Sequence, residues 1–183
     1  MPVRLSAPGL RAHLRAGGLL AYPTESCFGL GCDPSNRRAV LRLLALKQRP
    51  ARKGLILIAD RAARFRPYVQ AAALQAVGRQ PGWPGPLTWV LPQSRRCPPW
   101  LTGRHRSLAV RVTAFLPAAR LCRVAGMPLV STSANRSGAK PLRTARECRR
   151  MFGAAVRVID GRIGGARRPS RLVDFATGRV IRE

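Results

Sequence analysis

Acidic residues are nearly absent from this chain: seven Asp plus Glu stand against 34 Lys plus Arg in 183 residues, a formal net charge of +27. Few carboxylates leave few protein ligands for a hard cation such as magnesium, and a surface so short of acid attracts polyanions. Histidine is scarcer still. His13 and His105 are the only two, and His13 falls inside a helical pattern, so a His-based metal centre is not expected. Only three of the cations are lysines, at 47, 53 and 140; genomic base composition accounts for that arginine bias as well as function does, but not for the missing acids. The five cysteines (27, 32, 97, 122 and 148) are odd in number, scattered, and include no C-x-x-C pair, which excludes a disulfide frame or zinc knuckle and implies reduced thiols. Cys27 reads as a small half-buried residue rather than a nucleophile. Aromatics make up 5% of the chain, too few for a binder that stacks single-stranded bases. No G-x-x-x-x-G-K-[ST] stretch occurs, so any nucleotide is held without a Walker loop. No apolar run approaches the roughly 20 residues of a membrane span, and the basic N-terminus precedes too short an apolar stretch for a signal peptide. A soluble, cytoplasmic protein with no membrane partner is expected. Without repeats, low-complexity tracts or linkers, residues 1–183 are expected to form one domain.

What is present is an alternation of two patterns. Apolar runs suited to strands recur at 18–22, 54–59, 87–92, 107–112, 128–132, 155–160, 171–175 and 179–183, with helical patterns between them at 6–16, 35–47, 70–79, 115–125 and 144–152. Thr144 and Glu147 form a T-x-x-E capping box, and Val40, Leu41 and Leu44 share one helical face. Residues 176–179, Ala-Thr-Gly-Arg, read as a tight turn joining the last two strands. The expectation is an α/β fold on a mixed parallel and antiparallel sheet, ending in an antiparallel hairpin.

Three polar segments lie at predicted strand edges. In AYPTESCFGLGCDP (21–34) one of the rare acids, Glu25, stands between a Pro-Thr pair and glycines at 29 and 31, where a strand opens into a loop. In KQRPARKG (47–54) four cations fall within seven residues. STSANRSG (131–138) follows an apolar run with hydroxyls, an amide and free backbone N–H groups, the chemistry that wraps phosphates or carboxylates. Taken singly, each has a plainer account: an ordinary turn, a solvated helix end complementing the dipole, a carboxylate serving its own loop. Their convergence suits an anionic substrate with phosphates.

These segments, with WPGPLTWVLP, SLAVRV and PSRLVDF, resemble in order and content the YrdC family of threonylcarbamoyl-AMP synthases, in its short bacterial form. The resemblance implies a twisted mixed sheet with a basic concave groove. It also implies the conversion of L-threonine, bicarbonate and ATP into threonylcarbamoyl-adenylate and pyrophosphate, feeding the tRNA threonylcarbamoyl-transferase machinery. Thr24, Arg111 and Ser131 then correspond to threonine contacts. Lys47, Arg49, Ser133 and Asn135 correspond to ATP contacts, with Lys47 and Arg49 the catalytic cations. Magnesium would enter bound to ATP phosphates, and Glu25 is left to orient its loop or a cation beside the threonine site. Longer members carry a histidine shortly after the K-x-R-P element, where this chain reads GLILIA, and a second C-terminal domain; Arg171 replaces a common threonine after Ser170. The competing reading from charge alone is a non-catalytic double-stranded RNA-binding or ribosome-maturation factor using the same basic groove, and on either reading tRNA or duplex RNA is a candidate partner.

Overall fold

The computed structural model describes residues 7–182; the first residue of the expected first helix, Ser6, and the last of the final strand, Glu183, lie outside the described residues. Six α-helices, α1 (Ala7–Arg15), α2 (Arg37–Leu46), α3 (Ala71–Val77), α4 (Pro99–Thr102), α5 (Leu116–Ala125) and α6 (Ala145–Phe152), alternate with nine strands. The strands are β1 (Leu20–Pro23), β2 (Phe28–Gly31), β3 (Ile56–Ala59), β4 (Leu87–Pro92), β5 (Ser107–Val112), β6 (Leu129–Ser133), β7 (Arg157–Val158), β8 (Arg171–Asp174) and β9 (Val180–Arg182). They form one sheet in the order β7-β1-β2-β6-β3-β5-β4-β8-β9. It is mixed, as the alternation of patterns implied: β3 runs parallel to β5 and antiparallel to β6, and β8–β9 is the antiparallel C-terminal hairpin.

The period-two alternation of side chains sorts the apolar runs onto two cores. Leu20, Tyr22, Ile58 and Leu129 face α1 and α5, whose Leu10, Leu14, Leu121 and Cys122 cover them. Their chain neighbours Leu19, Ala21, Leu57 and Val130 face the other way, against Val40 and Leu43 of α2, Leu74 of α3 and Phe152 of α6. Caps fix where the helices begin. The Asn36 side chain accepts from the Ala39 N–H at the start of α2, and Thr144 with Glu147 forms the anticipated capping box on α6.

Strand β2 was not anticipated. Its Phe-Gly-Leu-Gly sequence reads as loop, yet all four residues are buried and pair antiparallel with β1. The glycines serve close packing instead of turning: a Cβ on Gly31 would stand 2.5 Å from the Val130 carbonyl oxygen, and one on Gly29 would stand 3.0 Å from the Thr24 methyl. Strand β7 keeps only two residues of the expected 155–160 run. The one-turn helix α4 and the short 3-10 turns at Ala51–Lys53, Ala62–Phe65 and Gly153–Ala155 give too little periodicity to be seen in sequence.

Candidate active site

A cleft of about 500 Å³ opens where the ends of β1, β2, β3, β5 and β6 meet the segments before α6 and β8. Among the described residues, six cations line it, Arg49, Arg111, Lys140, Arg143, Arg167 and Arg182, and no carboxylate does. The hydroxyls of Thr24, Ser26, Ser131, Thr132, Ser133 and Ser170 supply most of the remaining polar wall. The sheet register explains the grouping. Ser131 lies opposite Ile56, Ser133 opposite Gly29, and Arg111 sits in β5 between Val110 and Val112, which turn into the core. Gly29 lines the cleft as well, and its missing side chain leaves that floor open.

Of the residues singled out in sequence, Thr24, Arg49, Arg111, Ser131 and Ser133 line the cleft; Lys47 and Asn135 stand directly behind its wall. The Lys-Gln-Arg turn has a physical cause. Lys47 caps α2, the Gln48 N–H bonds to the Ala45 carbonyl, the Arg49 N–H bonds to the Leu44 carbonyl, and Gln48 takes a positive φ of 52°. That is a Schellman motif, in which the residue after the cap turns left-handed. The reversal sends Lys47 inward and swings Arg49 into the cleft. A left-handed conformation costs a residue with a Cβ about 1 kcal/mol or more, so Gln48→Gly is expected to stabilise the fold by about 0.5 to 1 kcal/mol. The gain is read as a higher urea midpoint at constant slope, with Gln48→Val moving the midpoint the other way.

The Lys47 ammonium donates to the carbonyl of Ser133, to the carbonyl of Asn135 at 2.8 Å and to Asn135 Oδ1 at 3.0 Å. In return the Ser137 N–H donates to the Lys47 carbonyl. Ser133 Oγ donates to Asn135 Oδ1 at 2.6 Å, and Asn135 Nδ2 donates to the Ala139 carbonyl. Lys47 therefore pins the hydroxyl-rich loop to the end of α2. Every oxygen it touches is neutral, so its charge is buried without a counter-ion. Burial, and next the nearby Arg49 guanidinium, pull its pKa down to about 8. Arg49 donates to the Gly54 carbonyl at 3.0 Å while its Nε is buried without a partner, and burial lowers its pKa as well.

Thr24 Oγ1 donates to the Cys27 carbonyl at 2.7 Å, which ties the β1–β2 loop and leaves the hydroxyl's lone pairs to accept. Arg111 Nη2 lies 3.2 Å from Glu25 Oε2. On the far wall, Arg182 donates to the Ser170 carbonyl at 2.9 Å, and Ser170 Oγ shares a 2.8 Å hydrogen bond with Thr88. Burial first, then the like charges of Arg111 and Arg49, depress the Arg182 pKa, so three guanidiniums converge on one space. Arg143, Arg167, Arg182 and Lys140 were not singled out in sequence. Among 34 cations nothing local marks them, although Lys140 and Arg143 follow the STSANRSG segment closely and Arg167 precedes PSRLVDF. Among the described residues no group of three or more His, Cys, Asp or Glu side chains could hold a metal ion. No helix among them is long and apolar enough to cross a membrane.

Comparison with known proteins identifies the family. The Sua5/YciO/YrdC family model, described as "Telomere recombination", matches residues 12–183. A Thiobacillus denitrificans protein named threonylcarbamoyl-AMP synthase is 62% identical over 178 residues, covering 96% of this chain and 94% of its own. A Methylobacillus flagellatus protein of the same name is 55% identical, covering 97% and 99%. Sua5 of P. abyssi, solved in complex with L-threonine, superposes with a TM-score of 0.81 at 29% identity over 97% of this chain. This chain spans 54% of that larger protein. YciO of E. coli, at 24% identity over 98% of this chain and 89% of its own, shares the fold with a TM-score of 0.81.

Proposed function

Because the chain belongs to the Sua5/YciO/YrdC family, we propose that it is an L-threonylcarbamoyladenylate synthase, acting in the cytoplasm on L-threonine, bicarbonate and ATP. The observation that carries the reading is the cleft itself: among the described residues, six cations and no carboxylate stand beside a cluster of hydroxyls. The neutral amine of threonine attacks bicarbonate to give a carbamate and water. A carbamate oxygen then attacks the α-phosphorus of ATP and pyrophosphate leaves, so threonylcarbamoyl-AMP forms without a covalent enzyme intermediate. This chemistry crowds a carboxylate, a carbamate and a triphosphate into one space, and it is accelerated by cations and oriented N–H groups already in position.

In this assignment Thr24, Arg111 and Ser131 hold threonine. Arg49 and Ser133 face ATP, Asn135 holds Ser133 from behind the wall, and Lys47 supplies positive charge through the loop it pins. Magnesium would arrive on the phosphates of ATP, since among the described residues no carboxylate lines the cleft to hold it. The product is a substrate for a tRNA-modifying transferase, and a chain of charge +27 would draw tRNA phosphates towards it. The test is pyrophosphate release with each substrate omitted in turn. Release is expected only when all three are present; release without threonine and bicarbonate would identify a nucleotide hydrolase and overturn the reading.

Lys47 also sets a pH dependence. Its proton is held less tightly in the fold than in the unfolded chain, with a pKa of about 8 against an ordinary 10.5. Below pH 8 the free enzyme therefore carries a charged, destabilising Lys47. That penalty is relieved as pH rises from about 8 to 10.5. Phosphate binding needs the charged form, so kcat/KM for ATP is expected to fall above pH 8, while Lys47→Arg removes that limb from the profile. A wild-type profile flat to pH 9.5 would show that the charge on Lys47 does not serve the nucleotide.

A further inference from the structure

Glu25 is one of only seven acids in the chain and follows Thr24 directly, yet its carboxylate does not line the cleft. Glu25 instead borders a separate, mostly apolar hollow of about 270 Å³ with Pro86, Phe115 and Gly164. Oε1 accepts from Thr113 Oγ1 at 2.8 Å. Oε2 is buried, makes no hydrogen bond, and is ion-paired with Arg111 Nη2 at 3.2 Å. Both ends of this bridge are fixed. The Thr113 N–H donates to the Ala59 carbonyl, and Thr113 Oγ1 accepts from the Phe115 N–H. The Ala166 N–H donates to the Glu25 carbonyl, and the Gly164 N–H to the Thr24 carbonyl. Among the described residues, Arg111 is the only one of the six lining cations that is ion-paired, and its Nε is buried without a hydrogen-bond partner.

We propose that Glu25 is a positioning residue for threonine recognition, acting through Arg111. Arg111 shares the cleft with Arg49 and Arg182, and like charges drive guanidiniums apart unless something holds them. A guanidinium is a rigid planar fork, so gripping one Nη from behind fixes the direction of its other donors. Gripped by Glu25 from outside the cleft, Arg111 presents its remaining N–H groups to an anionic oxygen of threonine. The carboxylate that holds it stays behind the wall, where it repels neither threonine nor the phosphates. Thr113 completes the arrangement by keeping the Glu25 side chain from rotating.

This inference rests on the synthase reading, and its test separates the two. Glu25→Gln keeps an oxygen for Thr113 but turns an amide donor towards the donor on Arg111. It is expected to raise the KM for threonine about tenfold while the KM for ATP moves by less than about twofold. In an Arg111→Ala background the same change is expected to add less than about twofold, because the group it acts through is gone. Thr113→Val, which removes the hydrogen bond to Glu25 and the one from the Phe115 N–H but leaves the Glu25–Arg111 ion pair, should raise the threonine KM less than Glu25→Gln. Thermal melting checks that each variant is folded, and Glu25→Asp completes the same cycle should Glu25→Gln not fold. An unchanged threonine KM in folded Glu25→Gln, or an equal loss with and without Arg111, would mean that Glu25 serves only its own loop. Wild-type enzyme that releases no pyrophosphate in response to threonine would instead overturn the synthase reading, and this proposal with it.

Discussion

Arg49→Ala and Lys47→Ala are each expected to lower turnover by about a hundredfold, close to 2.7 kcal/mol of transition-state stabilisation, the scale on which one preorganised charge-stabilising group is lost. The two losses arise differently. Arg49 lines the cleft, with Nη2 anchored on the Gly54 carbonyl and a buried Nε that has no partner. Its removal takes a donor and a charge from the phosphates directly. Lys47 stands one layer back and touches only neutral oxygens of Ser133 and Asn135. Its removal takes away a charge that no carboxylate neutralises and releases the loop that presents Ser133. Lys47→Met keeps the length of the side chain without the charge and separates these contributions: if the loop is all that matters, Met should recover much of the rate. Circular dichroism and a urea midpoint establish folding for each variant. A normal rate in folded Arg49→Ala would reduce the segment to a solvated helix end and remove the main electrostatic element of the mechanism.

The contrast between these cations shows what a sequence carries and where it stops. The helices most firmly read were those with a local signal, such as the Thr144–Glu147 capping box, and the structure bears it out. Strand positions followed from apolar runs that alternate between two faces, and the mixed sheet followed from the order of the elements. Strand β2 escaped because its glycines look like turn residues, whereas the close approach at Gly31 comes from the Val130 carbonyl across the sheet, which no local window contains. The site divides in the same way. The hydroxyl-rich and cationic loops are legible as chemistry. That Lys47 points at Ser133 and Asn135 instead of the cleft depends on a left-handed Gln48 and on contacts 86 and 88 residues away in the chain. Arg182 could not be chosen among so many arginines until β9 was seen to carry it back to the cleft.

Threonine is expected to be preferred over valine by about 10⁴-fold in kcat/KM, and over serine by only about 10- to 200-fold, because the site measures the hydroxyl more sharply than the methyl. The hydrogen-bond directions supply the reason. Thr24 Oγ1 already donates to the Cys27 carbonyl, so this hydroxyl offers its lone pairs to whatever enters the cleft. A threonine hydroxyl that donates to it satisfies an acceptor that binding has stripped of water. Valine has the right shape but no donor, so it leaves that acceptor buried and unpaired, and such orphaned groups are expensive. Serine keeps the donor and lacks one methyl, whose loss against the apolar wall near Leu55 and Ile56 is worth about 1 to 3 kcal/mol. Bicarbonate-dependent pyrophosphate release measured in parallel with threonine, serine and valine decides the matter. Valine turning over as fast as threonine would sink the hydroxyl argument. Serine rejected as severely as valine would show that the cleft reads the methyl through tight packing, and would shift substrate selection from the acceptor on Thr24 to the apolar wall beside it.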